Sequence, residues 1–350
     1  MRRSLAIVAL FVAAPAGAQS PVTLPCEAGD KPCLLKAIKA HPVRTAPYWK
    51  AALARPVAER MGPAPRELVE YLHLDNAFNG FPEKPRASRL APDFVADVHG
   101  AIADMPPAVR RVFDQTFAGV WFVDDLGGTG FTDMLRDGND QPVGGYVVLD
   151  AAVLGKFTAN AWATWKENSP FKPAKDWKLD VRIEDAAGDD RRGAIRYILL
   201  HELGHVLSIN RDIHPRWDQR PNDVPNRARF PFYDLSWTID RKDDRYVSKF
   251  DAELPKRRSV VYYLGAKLEA SDMAPAYQGL AKTNFPTLYA ATSPGDDFAE
   301  SFVSYVHTVL MKRPWEITIR QDGKVAMVYR TCWEEARCAA KRRILETLLR

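Results

Sequence analysis

The chain has 350 residues, 46% of them hydrophobic and 27% charged, with a formal net charge of +5. This balance excludes disordered and collagen-like classes, and the length suits one large domain or two modest ones. The small net charge gives no case for a nucleic-acid partner, and basic clusters such as Lys341-Arg342-Arg343 read as solvated helix faces.

Residues 1–18 have the charged, apolar and small-residue regions of a secretory signal peptide: Met1-Arg2-Arg3, the run from Leu5 to Val12, then Ala16-Gly17-Ala18. Cleavage is expected after Ala18, giving a secreted or periplasmic protein with a formal charge of +3. The apolar run is too short to cross a bilayer comfortably, and no other run approaches the roughly 20 apolar residues of a membrane helix. No stable membrane insertion is therefore expected after cleavage. In an oxidising compartment the four cysteines should pair locally, Cys26 with Cys33 and Cys332 with Cys338. Neither pair has the two-residue spacing of a zinc knuckle.

Residues 19–107 read as a helical N-terminal region, with Leu68, Tyr71, Leu72 and Phe94, Val95, Val98, Ile102 recurring at helical steps between prolines. His41, His73 and His99 each stand alone there and read as packing or surface residues. Two short strands follow, Gly119–Asp124 and Gly145–Asp150, and a third shows period-two alternation at Leu179, Val181 and Ile183. The glycines at 127, 128 and 130 lack the Lys-Ser/Thr ending of a phosphate loop and read as a tight connection. Trp162, Trp165, Phe171 and Trp177 read as core and lid packing.

Ala194 to Ser208 is the most informative stretch. It reads as one apolar helix carrying His201-Glu202-Leu203-Gly204-His205. Two imidazoles four residues apart lie on one helix face and can hold a single metal ion, with Glu202 placed to act as a general base on a water. Strands followed by such a helix are the order of an α+β peptidase half-domain. The segment from Asn210 to about Ser248 is polar, marked by prolines and weakly periodic, as cleft-bordering segments often are.

A catalytic zinc usually takes three protein ligands. Arg211 stands where a third histidine six residues after the second would be, so that arrangement is absent. Glu300, inside the helical stretch from Asp296 to His307, is the expected third ligand, while Asp212, Asp218 and His307 remain open. The His-Glu-x-x-His motif with a later glutamate resembles the gluzincins, and Asp297-Phe-Ala-Glu300-Ser-Phe resembles the ligand helix of anthrax lethal-factor-type catalytic domains. The resemblance covers about residues 119–312. It implies a zincin-like fold with a small mixed sheet, His201, His205 and Glu300 as ligands of one zinc per chain, and Glu202 as the base. Thermolysin-like members place an aspartate four residues after the ligand glutamate to orient a histidine. Here that position is Ser304, which would leave support to Asp296 or Asp297. Such families also stabilise the oxyanion with a tyrosine or histidine. Tyr289 is the candidate, with Tyr233 second.

The chain should thus divide into a signal peptide (1–18), the helical region (19–107), a metallopeptidase domain (108–313) and a C-terminal hairpin and helix (314–350). The expected function is hydrolysis of peptide or protein substrates. A zinc-stabilised binding protein without turnover is the alternative. N-terminal sequencing of the exported protein is expected to begin at Gln19; a sequence still beginning with the arginine pair would remove the cleavage site.

Overall fold

A computed structural model describes residues 22–27, 29–113, 116–225 and 229–350, so the expected signal peptide lies outside the described residues. The architecture is α+β. The N-terminal part contributes α1 (Lys31–Ala40), α2 (Lys50–Leu53), β1 (Met61–Pro63), α3 (Arg66–Asn79), β2 (Arg86–Ala87), α4 (Pro92–Ala103) and α5 (Pro107–Val112). Then come β3 (Phe117–Asp124), β4 (Gly130–Arg136), β5 (Pro142–Asp150), α6 (Ala151–Leu154), α7 (Ala159–Asn168), β6 (Trp177–Arg182) and the long α8 (Arg191–Ser208). The rest holds β7 (Trp237–Asp240), β8 (Arg245–Ser248), α9 (Met273–Leu280), α10 (Pro294–Tyr305), β9 (Glu316–Gln321), β10 (Lys324–Arg330) and α11 (Ala339–Leu348).

The main sheet runs β1-β3-β5-β4, with β2 also paired to β3. β1, β3 and β5 are parallel, and β4 closes one edge antiparallel to β5. Period-two alternation sends the side chains of β3 and β5 to opposite faces. Val120, Phe122, Val147 and Leu149 pack with α8 in one core; Ala118, Val123, Tyr146 and Val148 pack with the N-terminal helices in another. Helices α1 to α3 are thus a layer on one face of the sheet, α4 packs with α8 on the other, and the N-terminal region also contributes β1 and β2.

Both strands expected at 119–124 and 145–150 are present. The edge strand β4 was not anticipated, because its sequence, Gly-Phe-Thr-Asp-Met-Leu-Arg, has no clean alternation. The alternating stretch at 179–183 forms β6, but in a separate sheet ordered β10-β9-β6. Its partner is the expected C-terminal hairpin, whose Asp322-Gly323 turn has positive φ at both positions, as tight two-residue hairpins need. Within the weakly periodic 210–248 segment, β7 and β8 form a hairpin of their own. Both expected disulfides, Cys26–Cys33 and Cys332–Cys338, are formed. No described helix is long and apolar enough to cross a membrane.

One basic residue corrects the reading of a solvated C-terminal face. Arg343 is exposed, but Lys341 is fully buried, with Nζ 2.5 Å from Asp297 Oδ1 and between the rings of Phe232 and Phe285. Asp297 is equally buried and accepts from Trp237 Nε1 at 3.0 Å. It therefore packs against α11 and does not support the histidines. Burial pushes the Asp297 carboxyl up and the Lys341 ammonium down, each opposed by the partner's charge. Removing one member of such a pair strands the other. Lys341→Met is accordingly expected to cost about 3–5 kcal/mol in denaturant unfolding, whereas Arg343→Met should cost almost nothing.

Candidate metal centre

Helix α8 is anchored before it reaches the site. The Asp190 side chain caps it by accepting from Gly193 N at 2.7 Å. Arg191 pairs with Asp93 and Asp97, and Arg192 and Arg196 pair with Asp104, which ties its first turns to α4. Farther along, His201 and His205 lie one turn apart on one face, with ring centroids 5.0 Å apart.

Helix α10 starts with Ser293 as N-cap, accepting from Asp296 N at 3.1 Å, and Pro294 in the first turn. It crosses α8 closely. A Cβ at Gly204 would stand 2.7 Å from Ala299 Cα, so glycine is what allows the two backbones to approach. That crossing brings Asp296 to the histidines. One donor atom from each of His201, His205 and Asp296 lies within 4.8 Å of the others, with His205 Nε2 3.7 Å from Asp296 Oδ1. The three form a group that can hold a metal ion.

The surroundings leave the right atoms open. Asp296 Oδ2 accepts from Ser293 Oγ at 2.7 Å and Thr292 Oγ1 at 3.1 Å, which frees Oδ1. His201 Nδ1 lies 2.9 Å from Glu300 Oε1, a short contact set at an angle to the ring N–H, and this leaves Nε2 for a metal. Burial, then the neighbouring histidines, push His205 well below its ordinary value, so its imidazole is neutral with a lone pair to give.

Glu300, the expected third ligand, is not part of the His201–His205–Asp296 group that can hold a metal ion. Glu300 is fully buried, and both its oxygens are engaged: Oε1 with Lys166 Nζ and His201 Nδ1, each at 2.9 Å, and Oε2 with Thr287 Oγ1 at 2.7 Å. Burial alone would raise its carboxyl, but the Lys166 ammonium and His201 hold it well below the usual carboxylate range. Counted from Asp296, the residue four positions on is Glu300, and it is this residue that meets a histidine.

Glu202 stands on the sheet side, buried beside the edge strand. Its Oε2 accepts from Thr132 Oγ1 at 2.6 Å, and a Cβ at Gly130 would overlap Oε1. Burial pushes its carboxyl up, opposed by His201 and the Thr132 hydrogen bond. Tyr289 stacks on His201 with ring centroids 5.5 Å apart and planes 13° apart, and the Lys166 ammonium sits 4.5 Å from the centre of the Tyr289 ring. Tyr233 packs instead against Phe230 and Tyr246.

The other open candidates have separate roles. His307 Nε2 contacts the Ile183 and Pro314 carbonyls, and burial pushes it down to about 4. Asp218 pairs with Arg136 and Arg216. His41 packs on Tyr71, His73 meets the Pro85 carbonyl, and His99 is exposed. Trp162 is core, while Trp165 is 39% exposed.

Comparison of the chain with protein-family models, curated proteins and solved structures finds no match.

Sequence reasoning missed Lys166, Thr132, Thr287 and Tyr263. The last has φ +66° and packs edge-on to Tyr289 at 6.4 Å. Lys166 carried no signal, since a lysine between Trp165 and Glu167 reads as solvated. The four-residue spacing of Asp296 and Glu300 was visible in the sequence.

Different losses are expected for the two acidic residues of α10. Asp296→Ala should abolish tight metal binding, whereas Glu300→Gln should weaken it about 10–100-fold, the usual effect of removing a group that orients a ligand. A metal titration monitored by competition with a chelating dye measures both. Equal affinity of Asp296→Ala and the parent would return the third position to Glu300.

Proposed function

We propose that the protein is an exported zinc-dependent peptidase with a zincin-like catalytic region, in which His201, His205 and Asp296 hold the metal and Glu202 is the general base. The observation that carries this reading is the division of labour among the carboxylates. Asp296 has one free oxygen beside His205, Glu300 is occupied with Lys166 and His201, and Glu202 stands on the opposite wall with Thr132. Two imidazoles and a carboxylate are a donor set that suits zinc, and the neutral His205 is ready to bind it. Charge balance agrees. Lys166 pairs with Glu167 and Glu300, and neither Glu202 nor Asp296 has a lysine or arginine partner among the described residues, so a divalent cation would offset buried negative charge there.

Zinc held there would supply a Lewis acid able to polarise a substrate carbonyl and acidify a water. Glu202 accepts that water's proton and returns it to the leaving amine, so the same carboxylate serves as base and then as acid. The Thr132 hydroxyl fixes Oε2 through both transfers, and glycine at 130 leaves room for the other oxygen. The Tyr289 hydroxyl stays protonated, because burial, then the nearby carboxylates, raise it well above its ordinary value; it is thus a donor for a developing oxyanion. A peptide substrate is favoured by the position of β4. This strand lies beside Glu202, and apart from a bridge between Arg136 and Thr45 its outer edge pairs with no described strand, leaving backbone groups for an extended chain. On this reading the likeness to gluzincins would rest on the helix motif and the later acidic helix, with an aspartate in place of the ligand glutamate.

Glu202→Gln keeps shape and metal ligands but cannot take the proton. It is expected to retain zinc while hydrolysis falls by about 10² to 10⁴, read by metal analysis and by cleavage of a peptide library. Unchanged hydrolysis in the zinc-replete variant would remove Glu202 from this role. A parent that binds zinc and cleaves nothing would favour the zinc-stabilised binding protein.

A further inference from the structure

Immediately beyond α8, the chain folds back to form a cavity of about 280 Å³ on the His205 side of the site. Its lining includes Met134 from the edge strand, Arg211, Asp212, His214 and Trp217. Two contacts tie it to the metal group. The Trp217 ring meets His205 edge-on with centroids 6.0 Å apart, and a Cβ at Gly295 would lie 3.9 Å from both the His205 and the His214 rings.

The polar groups of this cavity are not balanced among themselves. Arg211 is half-buried, and its Nη1 donates to the Leu207 carbonyl at 2.9 Å, at the C-terminal end of α8. That bond positions the guanidinium without neutralising it. No described carboxylate lies within 4.0 Å of it, not even that of its neighbour Asp212, and burial is the sole influence on its protonation, a downward one. Its remaining nitrogens are bonded to no described residue and are not closed off from the cavity. Arg216, by contrast, is already paired with Asp218. His214 is buried and gives its Nδ1 hydrogen to the Pro215 carbonyl at 2.7 Å, so Nε2 is left as an acceptor with no partner. An acid-free guanidinium in a cavity whose Trp217 wall meets His205 is complementary to a carboxylate.

We infer that Arg211 and the cavity it lines form a subsite for a carboxylate of the substrate, making this protein selective for peptides that carry an acidic group near the scissile bond. The inference rests on the peptidase reading above for its substrate, but not for its test. The carboxylate belongs either to a Glu or Asp side chain or to a free C-terminus; both present the same planar pair of oxygens to the guanidinium.

The test uses zinc-loaded parent, Arg211→Gln and Arg211→Lys with short labelled peptides, acetylated and amidated, in which one Glu is moved through a neutral sequence. Each has a twin with Gln at that position, and one neutral peptide has a free C-terminal carboxylate. Binding is read by fluorescence anisotropy and cleavage by mass spectrometry on the same samples. At one position, or for the free C-terminus, the acidic peptide should bind at least about tenfold more tightly than its neutral twin, as expected of a charge-assisted, bidentate contact. Arg211→Gln should erase that difference and leave the neutral twin's affinity unchanged, and Arg211→Lys should keep part of it. Equal binding of acidic and neutral twins to the parent at every position overturns the subsite, as does an equal loss for both in Arg211→Gln, or a parent that binds none of the peptides. Selective binding without cleavage keeps the subsite and removes the peptidase. Cleavage without acid preference does the reverse.

Discussion

The close crossing of α8 and α10 at Gly204 and Ala299 is the constraint on which the site depends. Neither helix holds three donors by itself. His201 and His205 come from one, Asp296 and Glu300 from the other, and only backbones this near place a short aspartate within reach of an imidazole. A side chain on Gly204 would drive into Ala299 and move the histidines relative to Asp296. Everything else around the site holds this crossing in register. The arginines at the start of α8 clamp it to α4, the cap at Ser293 fixes the start of α10, and the buried Lys341–Asp297 pair ties α10 to the closing helix.

Buried charge is the second theme, because each charged group near the site is costly unless answered. Lys166 lies between Glu300 and Glu167, and burial that would lower its ammonium is outweighed by those two carboxylates. Glu167 in turn accepts from the hydroxyls of Tyr262 and Tyr277 at 2.8 and 2.7 Å. The chain from these tyrosines through Glu167, Lys166 and Glu300 ends on His201, so the ring is held by contacts reaching well outside the metal group. Tyr289 closes the arrangement, with its ring in contact with both His201 and the Lys166 ammonium.

Much of this was legible in the amino-acid order. The spacing of His201, Glu202 and His205 on an apolar helix announces a metal-binding face, since four residues return a helix to the same side. The paired cysteines are seven and six positions apart, so local sequence was enough to pair them. Strands at 119–124 and 145–150, and the Asp322-Gly323 hairpin turn, likewise follow from local apolar runs and turn chemistry. The edge strand β4 had no such signature, because its side chains face different surroundings along its length.

What the sequence by itself determined is therefore the chemistry of α8 and the presence of an acidic helix to complete it. Tertiary structure alone places Asp296, and not Glu300, in the group with both histidines that can hold a metal ion. Asp296 and Glu300 are one helical turn apart, and both are plausible ligands when α10 is considered alone. Lys166, 134 positions before Glu300, occupies that carboxylate, while Ser293 and Thr292 hold Asp296 by one oxygen and leave the other open. A periodic pattern records which face of a helix is buried, but it carries no information about which distant charge will meet that face. The same reason hid Lys341, whose basic neighbours suggested solvent, and Arg211, whose lack of an acidic partner appears only once the chain has folded around it.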